Sequence, residues 1–196
     1  MLDLKKQKKE YLGLLAAVDR EGMLEFINWI ESTDFFEAPA STRYHGSYHG
    51  GLTEHSLGVF KYLSLYNEKI LNKEFSEESV ILVSLCHDLC KCNYYKETTR
   101  NKKNDDTGKW EKVPWYDVEE AFPAGHGEKS IFLMMKYIKL DWQELLAIRW
   151  HMGAYGMSDF ATLSAMGEAM YKTNFVQALQ FADVHETYLP ERKVVN

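Results

Sequence analysis

The sequence predicts an all-α bundle interrupted once by a β-hairpin. Apolar residues recur at helical spacing through most of the chain, with polar breaks and capping residues between the segments. One stretch, residues 93–124, abandons that spacing for two charged, aromatic-rich runs about a D-D-T-G turn. A third observation sets the chemistry. The apolar segment at residues 80–92 carries His87 and Asp88 near its end, and a buried carboxylate is costly without a cation or hydrogen-bond partner.

Residues 1–32 read as two helices, with Leu4, Tyr11, Leu12, Leu15 and Val18 inward on the first and Leu24, Ile27, Trp29 and Ile30 on the second. Lys5, Lys6, Lys8 and Lys9 form a solvated basic face. Residues 33–51 contain a proline, three glycines and small polar residues, the composition of a loop, yet carry Arg43, His45, Tyr48 and His49. A helix starts near Leu52, with His55 on the same stripe as Leu52, Val59, Tyr62, Leu63 and Tyr66. Ser76 is the N-cap of the next helix, followed by two glutamates that suit the helix dipole, and that helix runs to about Leu89.

The hairpin interleaves Lys96, Arg100, Lys102, Lys103, Lys109 and Lys112 with Tyr94, Tyr95, Trp110 and Trp115. Two exposed strands alone are marginal, so the ribbon is expected to lean on the helical body. Helices resume over residues 127–139 and 142–152, the latter opened by an Asp141/Glu144 capping box and carrying His151 on the face of Ala147 and Ile148. A Gly-rich loop, a short helix over 161–171 and a last helix over 174–188 complete the chain, with Asp183 bordering the buried side formed by Phe175, Val176, Leu179 and Ala182.

At 196 residues the chain is expected to be a single domain over 1–196, long enough to bury about 70% of its unfolded surface. A formal charge of −6 gives no global attraction to nucleic acid or anionic membrane, so a phosphate ligand needs local cations. No apolar run reaches the ~20 residues of a membrane span, and the Lys-rich start lacks an apolar signal core. The expected location is therefore cytoplasmic. The three cysteines, Cys86, Cys90 and Cys92, are too few and too close for a disulfide framework. They read as buried thiols rather than zinc ligands, because a structural zinc site wants four donors.

Taken one at a time, the histidines are ordinary core residues. Together they form a pattern: His55, His87, Asp88, His151 and Asp183 fall on or beside inward faces of four helices, and His126 opens a fifth between two glycines. Independent burial of so many polar groups costs several kcal/mol for each uncompensated ion, which one or two divalent cations relieve together. Imidazole and carboxylate donors leave the metal open among Mn, Fe, Co, Ni, Zn and Mg.

The ordered set His55 in G-G-L-T-E-H-S, His87-Asp88 in L-C-H-D-L-C-K, His126 in G-H-G-E-K-S, His151 in R-W-H-M-G and Asp183 in F-A-D-V-H-E resembles the HD-domain superfamily of metal-dependent phosphohydrolases, over roughly residues 44–189. The G-G-L-x-E-H stretch is further similar to the HD domain of a bacterial 3′-to-5′ exoribonuclease, although the OB-fold of that relative has no counterpart here. Many relatives carry Gly where Cys90 stands. The resemblance implies an HD-domain helical bundle with the hairpin inserted after the His-Asp helix. It implies a first metal on His55, His87, Asp88 and Asp183, and a second on His126 and His151 bridged by Asp88; in mononuclear relatives those two histidines can face phosphate instead.

The expected activity is hydrolysis of a nucleotide phosphomonoester or phosphoanhydride by a metal-activated hydroxide, since a bound divalent ion lowers the pKa of water toward about 7. Asp88, Lys91 and Glu54 are the catalytic candidates: Lys91 to neutralise phosphoryl charge, Glu54 to orient a ligand or the attacking water. Arg43, His49 and Lys129 are the substrate-binding candidates, Arg149 reads as structural, and His45 and His185 fall outside the ligand set. The hairpin is expected to wall the pocket. Four alternatives stay open: a 3′-to-5′ single-strand nuclease tracking the hairpin, an HD-type di-iron oxygenase, a non-catalytic nucleotide-binding module and a metal-free helical scaffold. A small-molecule nucleotide is the expected partner, with single-stranded nucleic acid second, no membrane, and a homo-oligomer left open.

Overall fold

The computed structural model describes residues 3–155 and 159–189 of the chain. Part of the Gly-rich loop expected after residue 152 therefore lies outside the described residues. In order come α1 (Leu4–Leu15), α2 (Met23–Glu31), α3 (Gly51–Lys69), α4 (Glu77–Cys86), a 3-10 turn (Leu89–Lys91), β1 (Tyr95–Lys103) and β2 (Trp110–Val118). Then follow α5 (His126–Met134), α6 (Trp142–Trp150), α7 (Phe160–Lys172) and α8 (Asn174–Tyr188). The protein is mostly helical, with one two-stranded antiparallel sheet between the helices.

The unbroken apolar run of α4 explains its position, because a helix without a polar face is stable only when covered all round. Every residue from Ser79 to Cys86 is buried, between α3 on one side and α6 and α1 on others. The two serines in that run find partners: Ser84 donates to the Val80 carbonyl at 2.6 Å, and Ser79 accepts from Ser76 at 3.0 Å. Tyr11 of α1 reaches across to donate its hydroxyl to the Leu85 carbonyl at 2.9 Å, which satisfies the one polar atom of a fully buried ring. Helix α3 packs on α8 and α4, and α6 packs on α8 and α5, so the histidine-bearing helices share one core. Among the described residues, no helix is long and apolar enough to cross a membrane.

Two boundaries differ from the sequence expectation. Helix α5 starts at His126 itself and ends at Met134, short of residue 139. More consequentially, α4 stops at Cys86 rather than near Leu89. His87 caps it, Asp88 turns out of helical geometry (φ −104°, ψ 19°), and the 3-10 turn then brings the Lys91 ammonium to 2.6 Å from the Asp88 carboxylate.

The hairpin pairs Tyr95 with Val118 through Lys103 with Trp110. Its turn is built on Asn104, whose side chain accepts from the Asp106 and Thr107 amides at 3.0 Å, and on Gly108 in left-handed geometry (φ +68°). The expectation that the ribbon leans on the body holds only at its base, where the Tyr95 hydroxyl donates to the Ala40 carbonyl at 3.4 Å. Beyond Thr98 most side chains are exposed, and the ribbon stacks on itself, with the Arg100 guanidinium 3.7 Å from the Trp115 ring centroid.

Arg20, between α1 and α2, clamps the far end of the bundle. It donates to both oxygens of the fully buried Glu144 of α6, at 2.8 and 2.5 Å, while that carboxylate also accepts the Asp141 amide at 2.9 Å. Burial pushes the Glu144 pKa up, but the Arg20 hydrogen bonds prevail and hold it below the ordinary value. Arg20→Ala strands this charge and is expected to cost about 3 kcal/mol, measured by urea or thermal unfolding. Because the folded-state pKa is depressed, the difference from wild type should be full above the unfolded-state pKa of Glu and shrink as pH falls through the lowered one.

Candidate metal centre

Four helices and one helix start deliver the polar groups to a common point. His55 lies in the second turn of α3, His87 and His151 cap the C-termini of α4 and α6, His126 is the first residue of α5, and Asp183 lies in α8. His87 and His151 are held the same way. Each places Nδ1 against the carbonyl three residues back, Ser84 at 2.8 Å and Ile148 at 2.7 Å. A carbonyl only accepts, so Nδ1 carries the hydrogen and Nε2 is left with a free lone pair in the neutral ring. Burial pushes the His87 pKa down to about 3, which keeps that ring in the neutral form a metal ligand needs. The two helix C-termini also direct their negative dipole ends toward the cluster, where they favour a cation.

Asp88 divides this cluster into two halves. Its Oδ2 lies 3.5 Å from His87 Nε2 and 3.8 Å from His55 Nε2, and Asp183 Oδ1 is 3.1 Å from the same His55 nitrogen. Its Oδ1 lies 2.7 Å from His126 Nε2 and 3.6 Å from His151 Nε2. Three overlapping groups, His55/His87/Asp88, His87/His151/Asp183 and Asp88/His126/His151, each have donor atoms within 4.8 Å of one another. His55, His87, Asp88 and His151 are all buried. Burial works to raise the Asp88 pKa, but Lys91 and His87 beside it, with His126 donating, hold it well below the usual carboxylate range. Asp183 is likewise depressed: burial opposes its charge and the His55 hydrogen bond overrides it.

The donor set fits a divalent cation on an observation of its own. Among the described residues His151 Nε2 is buried with no hydrogen-bond partner, since 3.6 Å from Asp88 is too long, and an orphaned imidazole lone pair facing a carboxylate is a ligand atom in waiting. Burial disfavours a charge on His151, yet the nearby Asp88 and Asp183 raise its pKa, so the pocket recruits a positive charge there. A divalent ion would meet that demand for both carboxylates at once.

The other sequence candidates are distributed around this core. Lys91 is buried against Asp88; burial pulls its pKa down, but the carboxylate raises it and keeps the ammonium charged. Lys129 is buried one layer out, paired with Glu120 at 2.7 Å and 4.9 Å from the Tyr94 ring centroid. Arg149 pairs with Glu128 at 2.6 Å, and His185 packs against Tyr62 with ring centroids 4.3 Å apart and the planes tilted by 47°. Arg43 and His49 are exposed on the 33–51 loop, Arg43 against Tyr44, and Glu54 accepts from the Tyr48 hydroxyl at 2.7 Å. These three stand outside the buried cluster. The cysteines are buried and free, and burial pushes the Cys90 thiol up to about 12, so it is a protonated group lying 3.3 Å from the His126 ring rather than a thiolate.

Sequence reasoning left out His45. Its ring centroid lies 4.9 Å from that of His55, and burial, with His55 and Lys91 close by, pushes its pKa down to about 4. The available signal was a histidine in the Gly-rich H-G-S-Y-H-G stretch just ahead of the His55 helix, but periodicity cannot aim a loop side chain. No family model, curated protein or solved structure matches the chain.

A cation that binds the folded state alone raises the melting temperature, by the equivalent of about 2.7 kcal/mol at a hundred times its Kd. Mn²⁺ or Co²⁺ added to chelator-stripped protein should therefore raise the melting temperature in differential scanning fluorimetry. His151→Ala and Asp88→Asn should largely abolish that shift.

Proposed function

We propose that this chain is a metal-dependent phosphohydrolase of the HD-domain type that acts on a nucleotide. The observation that carries the reading is the divided Asp88 carboxylate, with His55 and His87 around one oxygen, His126 and His151 around the other, and Asp183 beside His55 and His87. The chain order of these residues is that of the superfamily it resembles. The first set would hold one divalent ion and the second set another.

Such an ion supplies a nucleophilic hydroxide from water at neutral pH and draws charge from a phosphoryl oxygen. The protein's own groups do the rest. Ser84 and Ile148 carbonyls fix the orientation of His87 and His151. Lys91 keeps Asp88 ionised at 2.6 Å and is the nearest ammonium for a phosphoryl oxygen. Lys129, with Arg43 and His49 from the 33–51 loop, is assigned to groups flanking the scissile phosphorus. Glu54, bonded to Tyr48, suits a role in holding that loop better than proton transfer. Hydrogen bonds to charged groups are about twice as strong as neutral ones, so Lys91, Lys129 and Arg43 favour an anionic substrate.

One feature favours a second reading, a 3′-to-5′ single-strand nuclease. Trp110 is 71% exposed on the hairpin and Arg100 lies over Trp115, an aromatic and basic surface of the kind that suits base stacking.

With Mn²⁺, Co²⁺ or Mg²⁺, purified protein should release phosphate or polyphosphate from a member of a nucleotide panel. His87→Ala and Asp88→Ala should each lower kcat/KM by about a hundredfold to a thousandfold or more while circular dichroism stays native. Activity surviving both changes refutes the assigned roles. A labelled oligonucleotide run alongside separates the readings: a salt-sensitive product ladder, lost on deleting residues 97–112, marks the nuclease.

A further inference from the structure

Five imidazole rings run in consecutive contact through the centre. Centroid separations are 4.9 Å for His45–His55, 5.3 Å for His55–His87, 4.9 Å for His87–His151 and 5.3 Å for His151–His126. The three inner rings belong to buried residues, whereas His45 and His126 are half-buried and close the two ends of the arc toward solvent. His126 uses its Nε2 on Asp88 at 2.7 Å. His45 differs: among the described residues its ring makes no hydrogen bond or ion pair, and it belongs to none of the three metal-capable groups.

The loop nonetheless holds His45 firmly. The Ser41 hydroxyl donates to the His45 carbonyl at 2.8 Å and accepts the Tyr44 amide at 2.8 Å. Gly46 follows in left-handed geometry (φ +58°), with its carbonyl accepting the Ala40 and Tyr48 amides at 2.9 Å. A Cβ on Gly46 would come within 2.7 Å of Ala40 Cβ, and one on Gly51 would run into the Gly46 carbonyl, so the turn depends on both glycines. A polar ring fixed in place beside a charged centre, with its own donor unused, has the makings of a ligand contact.

We infer that His45 is a substrate-binding residue whose ring N–H donates a hydrogen bond to a non-bridging phosphate oxygen presented to the Asp88 cluster. The inference rests on the phosphohydrolase reading and adds to it a residue from outside the ligand set. Phosphate is the matching group because it carries acceptor oxygens on every side. One of them can meet His45 at the open end of the arc while others face Lys91 and the Asp88 side.

The test uses inorganic phosphate as the probe. Calorimetric titration into protein loaded with Mn²⁺ is compared for wild type, His45→Ala and His45→Gln, together with metal content and nucleotide kinetics. His45→Ala should weaken phosphate binding and raise KM by about tenfold to a hundredfold with metal content unchanged. His45→Gln, which keeps an N–H donor, should recover part of the loss. Three results overturn the inference: no phosphate binding by wild type, unchanged phosphate affinity in His45→Ala, or metal lost from His45→Ala, which would make His45 a ligand. If wild type hydrolyses no nucleotide, the phosphohydrolase reading fails, while the phosphate titration still decides the role of His45.

Discussion

Much of this structure depends on keeping one carboxylate ionised in the interior. Asp88 sits 2% exposed at the end of the most buried helix, where an uncompensated charge is costly by several kcal/mol. Its partners come from each neighbouring segment: Lys91 from the turn that follows it, His126 from α5, and the His55, His87 and His151 rings around it. The early end of α4, the 3-10 turn and the start of α5 at His126 all make sense as ways of reaching Asp88. Ser130 of α5 supports the same region by accepting the Cys90 amide at 3.0 Å, which ties the turn to that helix.

Helix ends provide the precision. Histidine at the residue that caps a helix can return Nδ1–H to a carbonyl of the last turn, which satisfies an otherwise orphaned acceptor and aims Nε2 forward. The chain uses this device twice, at His87 and at His151, so a structural need of the helix terminus and an orientation need of the site are met by one hydrogen bond. Cys90 and Cys92 pack around the same region as thiols, Cys90 against the His126 ring and Cys92 in the core.

The helices were legible because their signals are local: Ser76 and Asp141 cap where expected, the Asp141/Glu144 capping box is present, and the alternating runs about D-D-T-G form the hairpin. His55, His87, Asp88, His151 and Asp183 were legible because each falls on or next to an apolar stripe whose direction helical spacing reveals, whereas His126, at a helix start between two glycines, was legible through its place in the ordered motif set. His45 was not, because a loop has no period and its aim is set by the Ser41, Gly46 and Gly51 contacts. The standing-off of the hairpin was equally hidden, since exposure of both faces depends on which surfaces the rest of the chain leaves beneath it.

By itself, the sequence determined which segments become helices and which polar side chains they turn inward, since caps, turns and apolar spacing act over a few residues. Only the tertiary structure decided that Asp88 offers one oxygen to His55 and His87 and the other to His126 and His151, that Lys91 folds back onto it, and that His45 closes the arc. The reason is range: a compensated buried charge needs partners from segments tens of residues apart, and only the packed core brings them within a few ångströms.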